Sequence, residues 1–541
     1  MASFEPVGLV KRSCASHRGI IVTKHPIATA VGRDVLAGGG NAYDAAIAAS
    51  FVLAVVEPYM SGIGGVGLAL VGDGDGLVVL DGGPVAPRSL DVTRFRPLGD
   101  QSDADLFGWP RVLDDANILG PTSVCIPTMV ALMAALHGQG ASLPWSEILA
   151  PAVGLARGFP VDWLLTLSIT QDQRDLRAFP STAGVFFPQD SVPAYNMDGP
   201  TDNILVQPAL AETLEILAGE GWRALYEGDL AVRIVNALQA DGGFLSADDL
   251  ASYRIRLSHP LRVDLLGTDL WVTDGLNGGA TVAEMLYLHD ELAPPDAGWG
   301  EAPDLAAWVR AGAQAFHDRF AQMGHAGDHP SLGTRDQARR SLAQAEPTIP
   351  SGGPDGSTTY LAVTDAEGRI VSMNLTLLSR WGSRYVVPDL GVLMNNGIMW
   401  FDPIPGRPNS LAPGARPLAN MVPVIATRGG QPVLAVGASG GRRIISALPQ
   451  ILTNVFRHGM DIQQAIAAPR LEFSTDPMLA DSRFPDGTIR QVEQLTGRPL
   501  ARYLPRLASS GYASPLGLLR WGDGTWTAGL EPTSMATSGC L

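Results

Sequence analysis

From Gly38 to Gly67 the chain reads GGGNAYDAAIAASFVLAVVEPYMSGIGGVG, with an apolar stretch from Ala45 to Val56 closed at both ends by glycine. An apolar run of about 12 residues is well short of the roughly 20 that span a bilayer, so it reads as a helix buried inside a protein. A helix with no polar face has to be enclosed by other layers of structure. Gly38-Gly39-Gly40 supplies the stop for the helix before it, and Asn41 can cap its start.

The flanking patterns say what those layers are. GIIVT from Gly19 reads as a short strand leading into an amphipathic helix, and Gly67–Val71 and Leu77–Leu80 read as buried strands between glycine turns. From about Asp91 to Arg340 the period is mainly helical, broken by prolines, with one further strand signal in LRVDLLGTDLWVT. Residues 341–357, SLAQAEPTIPSGGPDGS, have the composition of an exposed loop. After them TTYLAVTDAEGRIVSMNLT reads as two strands joined in a hairpin at Asp365-Ala366-Glu367-Gly368. An α/β first part, a helical middle and a strand-rich last part suit helices stacked over sheets. No repeat or low-complexity tract interrupts that order. The 541 residues suffice for two or three domains or for one large α/β unit.

Composition removes several classes of function. A net charge of −16 without any Lys/Arg-rich block disfavours a nucleic-acid partner. The chain is 46% hydrophobic and 17% charged, which fits a soluble globular protein, neither disordered nor embedded in a membrane. Cys14, Cys125 and Cys540 lie far apart, so the expectation is neither a disulfide framework nor a thiolate metal site, and a reducing compartment. The start, MASFEPVGLVKRSCASHRG, lacks the pattern of a secretory signal, and the cytoplasm is the expected location. GIGGVG precedes a strand where a dinucleotide loop would open a helix, and P-loop, HExxH and G-x-S-x-G patterns are absent. No cofactor and no metal are expected.

What remains is the loop-to-strand junction Gly356-Ser357-Thr358-Thr359. Threonine is an ordinary strand former, so two of them opening a strand need no further explanation. The alternative is chemical. A cut before Thr358 would free an α-amine with an ordinary pKa of about 7.7–8.0, able to take the proton of its own residue's hydroxyl.

Motifs along most of the chain decide between these readings. VTKHPIATAVGRDVLAGGGNAYDAAIAASFVLAVVEPYMSGIGG is followed in order by LDGGPVAP, LPWSEILAPAVGLARGFPV, AFHDR, GSTTYLAVTDAEGRIVSMNLT, GVLMNN, ARPLANMVP and GASGGRRII. This series resembles the γ-glutamyltransferase family of N-terminal-nucleophile hydrolases. The resemblance implies a four-layer αββα sandwich formed jointly by two chains from one precursor. Cutting between Ser357 and Thr358 would give a large chain, 1–357, and a small chain, 358–541, making one catalytic unit as a heterodimer or a dimer of heterodimers.

It also implies roles for particular residues. Thr358 would be the nucleophile, Thr359 its neighbour, Thr376 a hydroxyl bonded to it, and Gly440-Gly441 a backbone oxyanion site. The family's grip on a γ-glutamyl head is altered. Gly83 and Pro84 replace an Arg-Glu pair, Leu378 an Asn, Trp400 an Asp, and Ala419-Asn420 a Ser-Ser pair, leaving Asn420 as the polar member. The cephalosporin-acylase branch is therefore the better comparison, and the expected activity is an acylase or amidase on a small amide other than glutathione. A genuine γ-glutamyltransferase or glutathione hydrolase, and an unprocessed binding protein, are the alternatives. Arg380 and Arg384, in LLSRWGSRYVVP, are candidate ligands for an acidic acyl chain.

Overall fold

The computed structural model describes residues 11–73, 76–101, 108–195, 203–327, 332–342, 356–507 and 510–541. Helix α1 spans Pro26–Ala37 and α2 spans Ala42–Val56, every residue of α2 being buried. Asn41 caps α2 by accepting from the N–H groups of Tyr43 and Asp44, and the Asp44 carboxylate accepts from Asn41 N in return. A cap of this kind is worth about 1 kcal/mol. The same carboxylate takes the N–H groups of Ser142 and Leu143 and so ties the helix start to the next layer. Among the described residues no helix is long and apolar enough to cross a membrane.

Two seven-stranded sheets stand back to back. In chain order their strands are β1 Ala15–Ser16, β2 Gly19–Thr23, β3 Val66–Gly72, β4 Leu77–Gly82, β5 Arg256–Ser258, β6 Leu261–Leu265 and β7 Thr268–Val272. After the junction come β8 Thr359–Asp365, β9 Ile370–Thr376, β10 Val424–Arg428, β11 Gln431–Ser439, β12 Ser514–Arg520, β13 Trp526–Leu530 and β14 Thr537–Cys540. One sheet runs β14-β2-β8-β9-β3-β4-β5 and the other β1-β13-β12-β11-β10-β7-β6.

The period-2 alternation of the strands sorts their side chains into three apolar layers. Leu361 and Val363 pack with α2 and the helical middle, whereas Tyr360 and Ala362 pack with Ile425, Ala435 and Leu516 between the sheets. On the far side Val424, Leu434 and Val436 meet α3 (Gly279–Leu292), α4 (Ala302–Gln322) and α5 (Arg443–Phe456). The result is helix, sheet, sheet, helix, the expected four-layer αββα sandwich.

Both sheets are built from strands before and after the junction. β2 lies between β14 and β8, and β3 pairs with β9. Neither segment could be withdrawn without tearing a sheet open.

Three expectations need amending. Cys14 and Cys540 form a disulfide although 526 positions separate them in sequence, and only Cys125 is free. Linear distance misled, because β1 and β14 bring the two ends of the described chain together. Cys14 N donates to Ser538 Oγ and Leu541 N to Gly19 O. Second, LRVDLLGTDLWVT is a hairpin of β6 and β7 and not a single strand; its turn is Leu266-Gly267, both at positive φ (52° and 75°), with leucine in a place that glycine or asparagine usually marks. Third, most of the loop expected at 341–357 lies outside the described residues; of the rest, Ser341 closes a helix and Ser357 is buried.

Candidate active site

β8 begins at Thr359, so Thr358 is the last residue before the strand, and β9 ends at Thr376 beside it. The hairpin pairing Thr359↔Leu375 brings the Thr358 and Thr376 hydroxyls to 3.5 Å of one another. Both donate to one acceptor, the carbonyl oxygen of Ser357. Thr376 Oγ1 accepts in turn from Leu378 N (2.8 Å), which fixes the hydroxyl's direction. The bond expected to break is therefore flanked by a hydroxyl within its own residue and a second one holding its carbonyl. Ser357 and Thr358 are 1% and 2% exposed, so the peptide is shielded from bulk water.

The other sheet supplies the opposite wall. β11 ends at Ser439 and α5 begins at Arg443; Gly440 and Gly441 turn the chain between them with φ of 127° and 60°. This is backbone that only glycine adopts readily. A Cβ on Gly356 would stand 2.6 Å from Gly441 N, so the residue before Ser357 lies directly on that turn. Asn374, on β9, joins the two walls by donating to Ala438 O (2.9 Å) and Thr359 O (3.3 Å). Nothing local in IVSMNLT marks Asn374, because its partner Ala438 O lies on the other sheet.

The loop 377–384 beyond Thr376 is held under strain. Leu378, Trp381 and Arg384 have φ of 87°, 64° and 58°, a conformation that typically costs 1–3 kcal/mol per side-chain-bearing residue and gathers at functional sites. Asn396 restrains it through Ser379 N (3.1 Å) and Ser379 Oγ (2.7 Å), which gives the NN of GVLMNN a physical task.

A cleft of about 130 Å³ opens beside this junction, lined by Lys24, Glu57, Gly356, Arg380, Gly440 and Arg443 among others. Burial pushes the Lys24 ammonium down to about 8, opposed by Glu57 and Glu531. Burial also pushes the Glu57 carboxyl up, with Lys24 and His25 pulling the other way. Neither residue was singled out from the sequence. Both stand in the family-like segments VTKHP and VVEPYM, where nothing local marks them individually.

Arg380 lines the cleft, with Nη1 on Gln171 (2.8 Å) and Nη2 on Asp172 (3.2 Å). Arg384 turns into its own loop, donating to Ser379 Oγ and Gly382 O.

Gly83 lies at the same end of the first sheet, since Thr359, Leu375, Gly67 and Gly82 are paired in one row. It borders a second cavity of about 260 Å³ with Pro84, Asn277, Arg256, Arg416 and Ala419. The Arg416 guanidinium comes within 3.9 Å of where a Gly83 Cβ would be, and Asp81 holds it at 2.8 Å. Leu378 and Trp400 are buried in the apolar layer between the sheets together with Ala419. Asn420 accepts from Arg319, a fully buried guanidinium pushed down to about 9 by burial and by Arg442. Arg319, the last residue of AFHDR, also takes Ala419 O (2.7 Å) and Asn277 O (3.1 Å), so it ties together two segments that line this cavity.

The family whose sequence model is described as gamma-glutamyltranspeptidase matches residues 28–532 of this chain. The chain belongs to the γ-glutamyltranspeptidase family. It is 32% identical to the acylase ACY 1 proenzyme of Pseudomonas sp. (strain SE83), over 98% of this chain and 96% of that one. It is 30% identical to the glutathione hydrolase proenzyme of Bacillus subtilis (strain 168), over 88% and 83% of the two chains. Its fold superposes on the crystal structure of the cephalosporin acylase from Bacillus halodurans with a TM-score of 0.86, covering 100% and 99% of the two chains at 24% identity. A γ-glutamyltranspeptidase-family chain of this kind is a self-processing amide hydrolase or acyltransferase of the N-terminal-nucleophile type.

Proposed function

We propose that this γ-glutamyltranspeptidase-family chain is the precursor of an acylase that cuts itself between Ser357 and Thr358 and then works through Thr358 on a small amide lacking a γ-glutamyl head. The observation that carries the reading is the convergence of two hydroxyls, Thr358 Oγ1 and Thr376 Oγ1, on the Ser357 carbonyl.

In the cut, Thr358 Oγ adds to the Ser357 carbonyl carbon. The Thr376 hydroxyl steadies the negative charge that grows on the oxygen. The C–N bond breaks, the Thr358 nitrogen takes up the proton lost by Oγ, and an ester joins Ser357 to Thr358. Water cleaves that ester, leaving a carboxylate on Ser357 and a free amine and hydroxyl on Thr358.

With Gly356 and Ser357 able to move away, the Gly440–Gly441 turn that Gly356 covers becomes open to a substrate. The neutral α-amine then removes the Oγ proton as Oγ attacks the amide, and the N–H groups of the turn face the oxyanion. A donor of that kind is worth roughly 2.7–4 kcal/mol in other hydrolases. The amine product leaves with the proton, and water or another amine releases the acyl group from Thr358.

The substrate class follows from what stands at the positions where the family grips a γ-glutamyl head. Gly83, Leu378 and Trp400 offer no charged or amide group to an α-amino-acid head, and the nearby Arg416 and Arg256 are both paired with Asp81. Charge-assisted hydrogen bonds are worth about 1.5–3 kcal/mol each, so losing several leaves glutathione poorly held. The expected kcat/KM for glutathione or γ-glutamyl-p-nitroanilide is below about 10⁴ M⁻¹s⁻¹, the lower edge of ordinary enzymes. Steady-state kinetics against simple acyl amides checks this. A γ-glutamyl value at or above that edge would favour the glutathione hydrolase instead.

A further inference from the structure

Among the described residues, Glu57 Oε2, Tyr59 Oη, Ser61 Oγ and the Thr359 hydroxyl are buried without a hydrogen bond of ordinary length, and the last of them faces the Glu57 carboxyl. Glu57 is 1% exposed, follows the last turn of α2 and lines the cleft beside Gly356. A buried carboxylate oxygen without a donor is costly, and in folded proteins such an atom usually has a missing partner to be accounted for.

The charged and titratable groups facing Glu57 come from three directions: Lys24 and His25 after β2, Asp162 ahead of the helix Trp163–Leu176, and Tyr59 from its own segment. The hydrogen bonds of Lys24, His25 and Asp162 go elsewhere. His25 and Asp162 bond to each other (2.9 Å), and Lys24 Nζ donates to Ser514 Oγ.

The reaction itself supplies a donor at this place. Cutting before Thr358 turns an amide nitrogen into an ammonium with three N–H bonds, one residue from the hydroxyl that faces Glu57. We propose that Glu57 receives the α-ammonium freed at Thr358, aims it at the nucleophile and sets the pH at which it becomes a base. Glu57 is thus a positioning residue, and its assignment rests on the self-cutting reading above.

The physical consequence has a definite sign. A neighbouring carboxylate favours the charged form of an amine and so raises its pKa. The α-amine must be neutral to act, so the acid limb of kcat/KM follows that pKa. The arriving ammonium also pulls the Glu57 carboxyl down, against the upward push of its burial.

Glu57→Gln keeps an acceptor oxygen but removes the charge. Its acid limb should move to lower pH by about one unit, with plateau kcat within about threefold of the parent. Glu57→Leu removes both and should lower plateau kcat about tenfold or more with KM little changed. Both variants should still cut themselves, because no ammonium exists before the cut; a denaturing gel under reducing conditions reads this separately. An acid limb of Glu57→Gln that coincides with the parent's, in enzyme that is cut, overturns the placement of Glu57 alone. A parent that is never cut overturns the self-cutting reading and this inference with it.

Discussion

Thr358→Ala is expected to accumulate as one uncut 56.9 kDa chain, with amidase activity lower than that of the parent by about 10⁴-fold or more. The substitution removes the atom that attacks the Ser357 carbonyl and, by blocking the cut, also withholds the amine that would serve as base. Both losses act on the same step, so they do not add as independent terms. Thr358→Ser keeps a hydroxyl on the same carbonyl and should still cut, which separates the chemistry from any effect on folding. Activity and reducing gels of the two variants, measured side by side, check the pair. An uncut Thr358→Ser beside a cut Thr358→Ala would reverse the assignment.

Thr376→Val should slow self-cutting by about 10²–10³-fold, the usual consequence of removing one donor from a developing oxyanion. Valine fills the same space, so the loss is confined to the hydroxyl. Two buried groups then lose a partner, Ser357 O and Leu378 N. Thr376→Ser should restore most of the rate. Time courses of chain cleavage after purification report this, and cutting by Thr376→Val at the parental rate would leave Thr376 with a packing role only.

How much of this could be read from the sequence differs from residue to residue. The apolar run and its asparagine cap specified α2 almost to the residue, because local signals and burial agree there. The hairpin of β8 and β9 was equally plain, since Asp365 to Gly368 carry ordinary turn chemistry. The β6–β7 turn was hidden by Leu266, whose left-handed conformation is imposed by the pairing of its strands and not by its own preference.

The nucleophile was legible only because an unremarkable pair of threonines sits inside a long series of motifs. Spacing alone could not have shown that Thr376 and Thr358 share one acceptor. Asn374, Glu57, Lys24 and Arg319 were unreadable as individuals for the same reason. Each acts on a group of another element, and a side chain's partner on another element leaves no local mark. The Cys14–Cys540 disulfide is the extreme case, with the whole fold between its halves.

The most direct test of self-cutting is the intact mass of the purified protein, taken before and after reduction. After reduction the account predicts two chains, the smaller beginning Thr358-Thr359-Tyr360, whose masses sum to that of the precursor plus one water. Before reduction it predicts a single covalent species, because the Cys14–Cys540 disulfide joins the large chain to the small one. An active, reduced protein that remains one 56.9 kDa chain would contradict the account.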